Sequence, residues 1–161
     1  MAGRAPPSPP SPHRVAAVRA ATGADAVVLA GLRSDALAEL GPLRGGGLYA
    51  EREARPLPDC EETDPPVWVG LLGDAVVGYL AGRVEALGGG RRLGVVDAVY
   101  VDPGCRAVGV GGELMTVAVA WFRSQGCIGV DAIALPGARA TKNFFEESGF
   151  TSRLLVMHHQ L

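Results

Sequence analysis

A glycine motif at the start of one helix is the stretch of this chain most suited to chemistry. The motif Gly109-Val-Gly-Gly112 follows a β-branched run that the turn-forming sequence Asp102-Pro-Gly104 closes. Apolar residues then recur at helical spacing from Val110 to Trp121. The glycines therefore lie at a helix N-terminus, where unpaired N–H groups and the positive end of the helix dipole favour an anion such as a phosphate.

Spacing excludes two well-known phosphate-binding motifs. A P-loop needs Lys-Ser/Thr directly after its glycines, and this chain has none there. A dinucleotide-binding GxGxxG motif needs a third glycine where Leu114 stands. A different nucleotide-binding α/β protein is therefore a poor interpretation, because it would need one of these two motifs.

The loop resembles that of a known family. Arg106-Ala-Val-Gly109-Val-Gly111 is similar to the R/Q-x-x-G-x-G/A pyrophosphate loop of the GNAT family of N-acetyltransferases, and the strand Val96–Val101 directly before it also matches. About thirty residues downstream, Asn143–Phe150 resembles the family's helix ending in F/L-Y/F-E-x-x-G-F. The resemblance implies an enzyme that transfers an acetyl group from acetyl-CoA, as cosubstrate, to a primary amine of a small molecule or peptide.

The resemblance also implies how the cosubstrate binds. In the family, the central strand parts from the next parallel strand, and pantetheine lies between them. Backbone groups of Val99, Tyr100 and Val101 would then bind the acyl carbonyl and the pantetheine amides. The pyrophosphate would be held by the N–H groups of Arg106, Ala107, Val108, Gly109, Val110, Gly111 and Gly112. Arg106 could contribute through its side-chain charge or only through its backbone.

Direct acyl transfer needs a base for the ammonium group, a donor to the tetrahedral oxyanion, and a way for the thiolate to leave. The N–H of Val99 is the expected oxyanion donor. Asp97 is the expected base, acting through a water, because strand alternation predicts that it shares a face with Val99. Its position matches a glutamate of some family members. Alternatively, Asp97 only pairs with an arginine or fixes a loop.

Two aromatic positions bear on activity. Phe145 stands where many family members have the tyrosine thought to protonate the leaving thiolate, and phenylalanine has no proton to give. Both Phe144 and Phe145 are therefore interpreted as packing residues. Tyr100 is predicted to face away from Asp97, buried against a helix. The missing acid keeps an alternative open, in which the chain is a non-catalytic acyl-CoA sensor or interaction module.

Composition narrows the class of protein. A chain of 161 residues with 48% hydrophobic and 20% charged residues suits one globular domain, and a formal charge of -2 gives no general attraction to nucleic acid. No apolar run reaches the roughly 20 residues that span a bilayer, which predicts a cytoplasmic protein without a membrane partner. The three cysteines lack zinc-site spacing, so we expect no metal and reduced thiols at Cys60, Cys105 and Cys127.

The element order predicts a mixed α/β fold of the α+β type. Residues 1–13 read as a disordered proline-rich tail, and residues 14–161 as the acetyltransferase domain, with the order β-α-β-β-β-α-β-α-β. The GNAT fold implies a mostly antiparallel, twisted sheet of six to seven strands with one splayed parallel pair and about four helices. Patterning predicts a hairpin of strands 67–72 and 75–87, a strand 127–135, and a closing strand or hairpin 150–160.

The segment 43–66 is the hardest to interpret. A run that can be helical, 48–54, follows three glycines, and prolines then break any regular element. Family members commonly border the acceptor groove here, and an acidic rim of Asp59, Glu61, Glu62 and Asp64 would suit a cationic amine. The same charges are equally those of a solvated loop. The sequence does not give the oligomeric state, but members of the family often dimerise, which leaves a homodimer open here.

Overall fold

The computed structural model describes residues 16–58 and 67–161, which build a five-stranded sheet with helices on both faces. Neighbouring strands along the chain are neighbours in the sheet, and all pairs are antiparallel except the last, which is parallel. The strands are β1 Ala16–Ala20, β2 Val67–Leu72, β3 Ala75–Ala86, β4 Arg92–Val101 and β5 Cys127–Ala132.

Four helices accompany the described strands. The first, α1, spans Ala26–Leu40, and the short α2, Gly46–Leu48, continues into a π-helical turn, Tyr49–Glu53. Helix α3, Val110–Ser124, connects β4 to β5, and α4, Arg139–Glu147, follows β5. The mixed α/β class, the single parallel pair and the number of helices were predicted correctly. Within residues 16–58 and 67–161, no helix combines the length and apolar character needed to cross a membrane.

Apolar side chains form one cluster on each face of the sheet. On the α3 face the cluster joins helices α3 and α4 to the strands through Leu80, Val96, Leu114, Phe122 and Phe145. The ring of Phe122 lies so close to the strands that a Cβ added at Gly82 or Gly94 would meet it at 2.7 or 2.6 Å. These two glycines therefore allow α3 to approach the sheet.

The second cluster lies beneath α1. It contains Leu29 and Leu32 of α1 and, from the sheet, Val67, Val69, Tyr79, Ala81 and Tyr100. The Tyr79 side chain is only 1% exposed. Burial away from water raises the pKa of the Tyr79 phenol to about 12. The two clusters fix β3 and β4 at the centre of the molecule, with a helix layer on each side.

A buried carboxylate joins β1 to the start of α1. Asp25 accepts two hydrogen bonds from the Arg19 guanidinium, at 2.7 and 2.9 Å, and others from the N–H and hydroxyl of Thr22 at 2.8 and 3.1 Å. Thr22 and Asp25 thus form a capping box at the turn that leads into α1. The hydrogen bonds from Arg19 are the main reason that the pKa of Asp25 lies far below its usual range.

The C-terminal strand prediction was wrong. Residues 151–161 contain no strand, so the described sheet has five strands instead of six to seven. The apolar run Leu154–Met157 lacks the alternation that gives a strand one buried face, and its four side chains are between 75% and 82% exposed. Strand β5 also ends at Ala132 and not at residue 135. Its outer edge is left without a partner strand within the described residues.

Candidate functional site

Strand β5 lies at the edge of the sheet and pairs with only the first half of β4. Their parallel pairing begins at Arg92 opposite Cys127 and ends at Val96 opposite Ala132. Beyond that point β4 continues along β3 as far as Val101, which pairs with Gly78. Within the described parts of the chain, residues 97–101 therefore have a sheet partner on one edge only, and their other edge opens into a fork between β4 and β5.

Backbone direction decides which groups face this fork. Asp102 donates its N–H to the Val77 carbonyl of β3 at 2.8 Å. Because N–H and C=O directions alternate along an antiparallel pair, Tyr100 also points at β3, whereas Val99 and Val101 point into the fork. Of the three consecutive residues predicted to bind the cosubstrate through their backbone, only Val99 and Val101 therefore have N–H groups that face the fork. Tyr100 contributes its side chain to the α1 face instead.

A β-bulge lies at the fork. Val96 pairs with Gly82 and Ala98 with Ala81, so Asp97 is an extra residue without a partner in β3. The bulge shifts the alternation by one residue: Asp97 and Ala98 both lie on the α1 face, and Val99 packs into the α3-face cluster. The prediction that Asp97 and Val99 share a face was wrong, and so was the prediction that Tyr100 faces away from Asp97.

Asp97 forms an ion pair with Arg83 of β3, which also contacts Glu85. The side chains of Arg83 and Asp97 are 22% and 14% exposed, so the pair is largely shielded from water. The hydroxyl of Tyr49 donates to the Asp97 carbonyl oxygen at 3.2 Å. Burial is the main reason that the pKa of Tyr49 is raised.

The Arg83–Asp97 pair lines a cleft of about 180 Å³ on the α1 face of the sheet. The cleft lies between the middle of α1, the segment after the π-helical turn, and strands β3 and β4. Its lining residues are Arg33, Arg55, Pro56, Leu57, Pro58, Ala81, Gly82, Arg83, Asp97 and Ala98. The bulge at Asp97 therefore borders both the cleft and the β4–β5 fork.

The glycine loop lies next to the same end of β4. The Asp102 carboxylate accepts the Gly104 N–H at 2.8 Å and turns the chain away from the strand. Ala107 and Gly109 have φ angles of 62° and 94°, a left-handed conformation that costs glycine nothing but strains other residues. Helix α3 then begins at Val110, as the glycine pattern predicted.

Backbone donors are available at the start of α3. The first intrahelical hydrogen bond that closes there runs from the Glu113 N–H to the Gly109 carbonyl, at 3.0 Å. The N–H groups of Val110, Gly111 and Gly112 precede it and have no carbonyl partner inside the helix. At Gly112 a Cβ would meet no atom within 4 Å, so this corner is open space. Three donors at the positive end of a helix dipole can bind an anion.

The Arg106 side chain is committed to other groups. It donates to both Glu39 oxygens, at 2.8 and 2.9 Å, and to the Val101 carbonyl at 2.8 Å, and it lies 5.3 Å from the centre of the Tyr100 ring. The Tyr100 hydroxyl donates to the same Glu39 at 2.9 Å. Burial, followed by this hydrogen bond, raises the pKa of Tyr100 to about 12. Of the two roles left open for Arg106, the backbone role fits this arrangement.

Helix α4 closes the α3 side of the loop. Phe145 is 7% exposed and packs against Phe144 and Phe150, at ring-centre distances of 5.6 and 5.4 Å. A Cβ at Gly111 would meet the Phe144 ring at 3.2 Å, so the small residue lets α4 sit against the loop. Both phenylalanines are packing residues, as predicted.

Sequence reasoning missed several lining residues. Arg33, Arg55 and Arg83 come from three separate parts of the chain, and no local motif connects them with Asp97. Tyr49 belongs to the segment expected to border the acceptor groove, but nothing in the sequence indicated that its hydroxyl would reach the bulge. The acidic rim at positions 59, 61, 62 and 64 lies outside the described residues, as do Cys60 and the proline-rich tail. Cys105 and Cys127 are free thiols.

Similarity to known proteins identifies the family of this chain. The family model described as "Acetyltransferase (GNAT) family" matches residues 34–150, most of the chain. The chain belongs to the GNAT acetyltransferase family. The match includes the β4–β5 fork, the loop and both helices that flank it. No curated protein matches the sequence.

Solved structures share the GNAT fold with this chain. An acetyltransferase from Trypanosoma brucei is 24% identical with a TM-score of 0.65, and the match covers 91% of this chain and 99% of that one. Aminoglycoside acetyltransferase meta-AAC0020, from an uncultured soil metagenomic sample and in complex with sisomicin, is 19% identical with a TM-score of 0.62, covering 91% and 95%. AAC(6')-Iy, in complex with a bisubstrate analogue of CoA, is 15% identical with a TM-score of 0.68, covering 91% and 97%. At these identities the likeness shows a common fold.

Proposed function

We propose that this GNAT acetyltransferase transfers the acetyl group of acetyl-CoA to a primary amine of a small molecule or peptide, by direct attack of the amine on the thioester. The observation that carries the proposal is the meeting of two features at the end of β4. One is the backbone that faces the fork, at Val99 and at the N–H of Val101, and the other is the set of N–H groups at the start of α3 that have no partner inside the helix.

The residues present suit acetyl-CoA. Its diphosphate would accept hydrogen bonds from the backbone of the loop between Arg106 and Gly112, since anions bind well where free N–H groups and a positive helix end coincide. Pantetheine would continue along the fork, with its amides paired to the backbone of Val99 and to the N–H of Val101, whose carbonyl already accepts from Arg106. The acetyl group would then reach the bulge at Asp97, where the cleft of the α1 face begins.

Asp97 is proposed as the base that takes a proton from the incoming ammonium group through a water. Its place in the cleft supports this role, because the amine would approach from the α1 face. The N–H of Val99 is proposed to donate to the tetrahedral oxyanion, where a fixed donor contributes most to catalysis. The pair with Arg83 keeps the Asp97 carboxylate in one position. The CoA thiolate can leave without an acid, since thiols ionise near neutral pH.

A second candidate function is an acyl-CoA sensor without turnover. It is favoured by the phenylalanine at position 145 and by the ion pair that occupies Asp97. Purified protein incubated with acetyl-CoA and a panel of amines distinguishes the two, because only the enzyme releases CoA thiol in an amine-dependent manner. Tight CoA binding with no thiol release above the blank would favour the sensor.

Three further expectations concern the domain bounds, the cellular location and the oligomeric state. A single acetyltransferase domain from residue 14 to 161 and a cytoplasmic location both stay predictions. A homodimer is proposed as well. The open outer edge of β5 and the exposed apolar run at Leu154–Met157 support it, since unpaired strand edges and apolar patches are common interfaces.

A further inference from the structure

The cleft next to Asp97 has an excess of positive charge. Its described lining contains three arginines and a single acidic residue, Asp97. Arg83 is the arginine whose charge is balanced, because it contacts both Asp97 and Glu85. Arg33 and Arg55 therefore determine what the rest of the cleft attracts.

Arg33 is half-buried and held in place by backbone groups. It donates to the carbonyl oxygens of Ala54 and Arg55, at 3.4 and 3.1 Å. Its positive charge also acts on two phenols nearby, because it partly offsets the burial that raises the pKa of Tyr49 and of Tyr79. Among residues 16–58 and 67–161, Arg33 forms no ion pair with a carboxylate.

Arg55 is exposed at the other wall of the cleft. It precedes Pro56, which restricts its backbone to extended conformations and so limits the directions in which its side chain can project. In the described parts of the chain it too has no acidic partner. Two guanidinium groups in one cleft that have no carboxylate partner among the described residues can form paired hydrogen bonds with an anionic ligand group.

We propose that the acceptor is an amine that also carries a carboxylate, as an α-amino acid does, and that Arg33 and Arg55 bind this carboxylate while the amine faces Asp97. The inference rests on the proposed acetyl transfer and adds the class of acceptor to it. The cleft of about 180 Å³ is smaller than the roughly 300 Å³ at which pockets for drug-sized ligands begin, which favours a small molecule. A polycation would meet two like charges at this wall.

Matched acceptors test the proposal. Thiol release from acetyl-CoA is followed with a panel of α-amino acids, each compared with its own C-terminal amide, and with spermidine and sisomicin as polycations. We expect kcat/KM at least about tenfold higher for the best acid than for its amide, since a charge-assisted hydrogen bond contributes about 1.5 kcal/mol or more. Equal values, or a polycation as the best acceptor, would overturn the carboxylate site while acetyl transfer itself stands.

Two variants test whether Arg55 binds the carboxylate of the acceptor. Arg55→Gln should lower the ratio of acid to amide several-fold, since Arg33 alone is then left to bind the carboxylate, whereas Arg44→Gln, which removes the same charge from an exposed arginine outside the cleft, should leave the ratio unchanged. Both residues are exposed, so neither change threatens folding. A ratio that Arg55→Gln does not alter, or that both variants lower equally, would contradict binding by Arg55.

The preference for the acid over its amide can also be measured as binding, without turnover. If no amine is acetylated, the proposed function fails, and the acid and amide are instead titrated calorimetrically into the CoA-loaded protein. Tighter binding of the acid, reduced in Arg55→Gln, would still support the carboxylate site. Equal binding of acid and amide would reject it.

Discussion

Arg83 of β3 and Asp97 of β4 form an ion pair on the α1 face of the sheet, at the one place where β4 carries an unpaired residue. The bulge turns Asp97 toward the cleft and leaves the Val99 N–H at the fork. The Asp97 carboxylate thus lies on the α1 face of β4, and the Val99 N–H points into the fork at the edge of the same strand. This arrangement could deliver an amine and a thioester to one point from two directions.

The role of Asp97 leads to a first prediction. Asp97→Asn should lower kcat about 10²-fold, in the range that general base catalysis contributes, with CoA affinity unchanged. The remaining activity should rise toward higher pH, because only amine that is already uncharged can then react. Arg83 keeps Glu85 as a partner in this variant, so the fold should hold. The measurement is a pH profile of kcat together with a CoA titration.

A conservative substitution separates the base from a structural role. Asp97→Glu keeps a carboxylate on a side chain one methylene longer and should recover most of the activity lost in Asp97→Asn. If Asp97→Asn acetylates amines as fast as the unchanged protein, Asp97 is not the base.

The anion site at the start of α3 gives a second prediction, at Gly112, where a new side chain meets no protein atom. Gly112→Asp should raise the melting temperature slightly, since a negative charge in the first turn stabilises a helix by about 0.3–1 kcal/mol. The same charge should weaken CoA binding about tenfold by repelling the diphosphate. Stability and affinity would thus change in opposite directions.

Gly112→Asn is the matched control because it adds a side chain of the same shape without the charge. Calorimetry should find that Asn weakens CoA binding less than Asp does. Equal affinities for the two variants would mean that no anion binds near Gly112.

The buried Asp25 carboxylate, paired with the half-exposed Arg19, predicts how stability depends on pH. The pKa of Asp25 is lowered in the folded protein, chiefly by the hydrogen bonds from Arg19, so its contribution is complete above the unfolded pKa of about 3.9 and is lost as the pH falls below it. Asp25→Asn should therefore cost about 1–3 kcal/mol at neutral pH. The cost should shrink toward pH 3, as measured by denaturant unfolding at several pH values.

Ser34→Ala, at an exposed position of α1, serves as a control that should show little change at either pH. If the difference between Asp25→Asn and the unchanged protein is the same at pH 3 and pH 7, the lowered pKa of Asp25 does not contribute to folding.

The open edge of β5 and the exposed apolar run predict self-association. Leu155→Glu combined with Met157→Glu should shift a dimer toward the monomer, because both side chains are exposed in the single chain, at 78% and 82%. Light scattering during size-exclusion chromatography measures the mass. Ser152→Glu adds a charge just before the run and should leave the mass unchanged. A monomer mass for the unchanged protein at all concentrations would refute the dimer.

Local patterns predicted much of the fold. The hairpin of β2 and β3 follows from two strand-forming apolar runs around the turn residues Gly73-Asp74, and the start of α3 at Val110 follows from the glycines before it. In both cases the deciding signal lies within a few residues. The interpretation of Phe145 as a packing residue also held, because a helix with a strong apolar stripe has only one face to bury.

Long-range pairing explains what the sequence could not predict. The bulge at Asp97 arises where Ala81 and Gly82 of β3 pair around it, so the face of Asp97 depends on a strand fifteen residues away. The meeting of Arg33, Arg55 and Arg83 depends on three segments that only the tertiary fold brings together. The strand expected at residues 150–160 failed because apolar composition alone does not supply a partner.

The central claim is that backbone N–H groups at the start of α3 bind the diphosphate of acetyl-CoA and so bring its thioester to β4. The most direct measurement is calorimetric titration of the purified protein with CoA and with pantetheine, which has the thiol arm but no diphosphate. We expect CoA to bind at least about a hundredfold more tightly, since two charge-assisted hydrogen bonds contribute about 3 kcal/mol or more. Equal affinities, or no detectable binding of CoA, would contradict the claim.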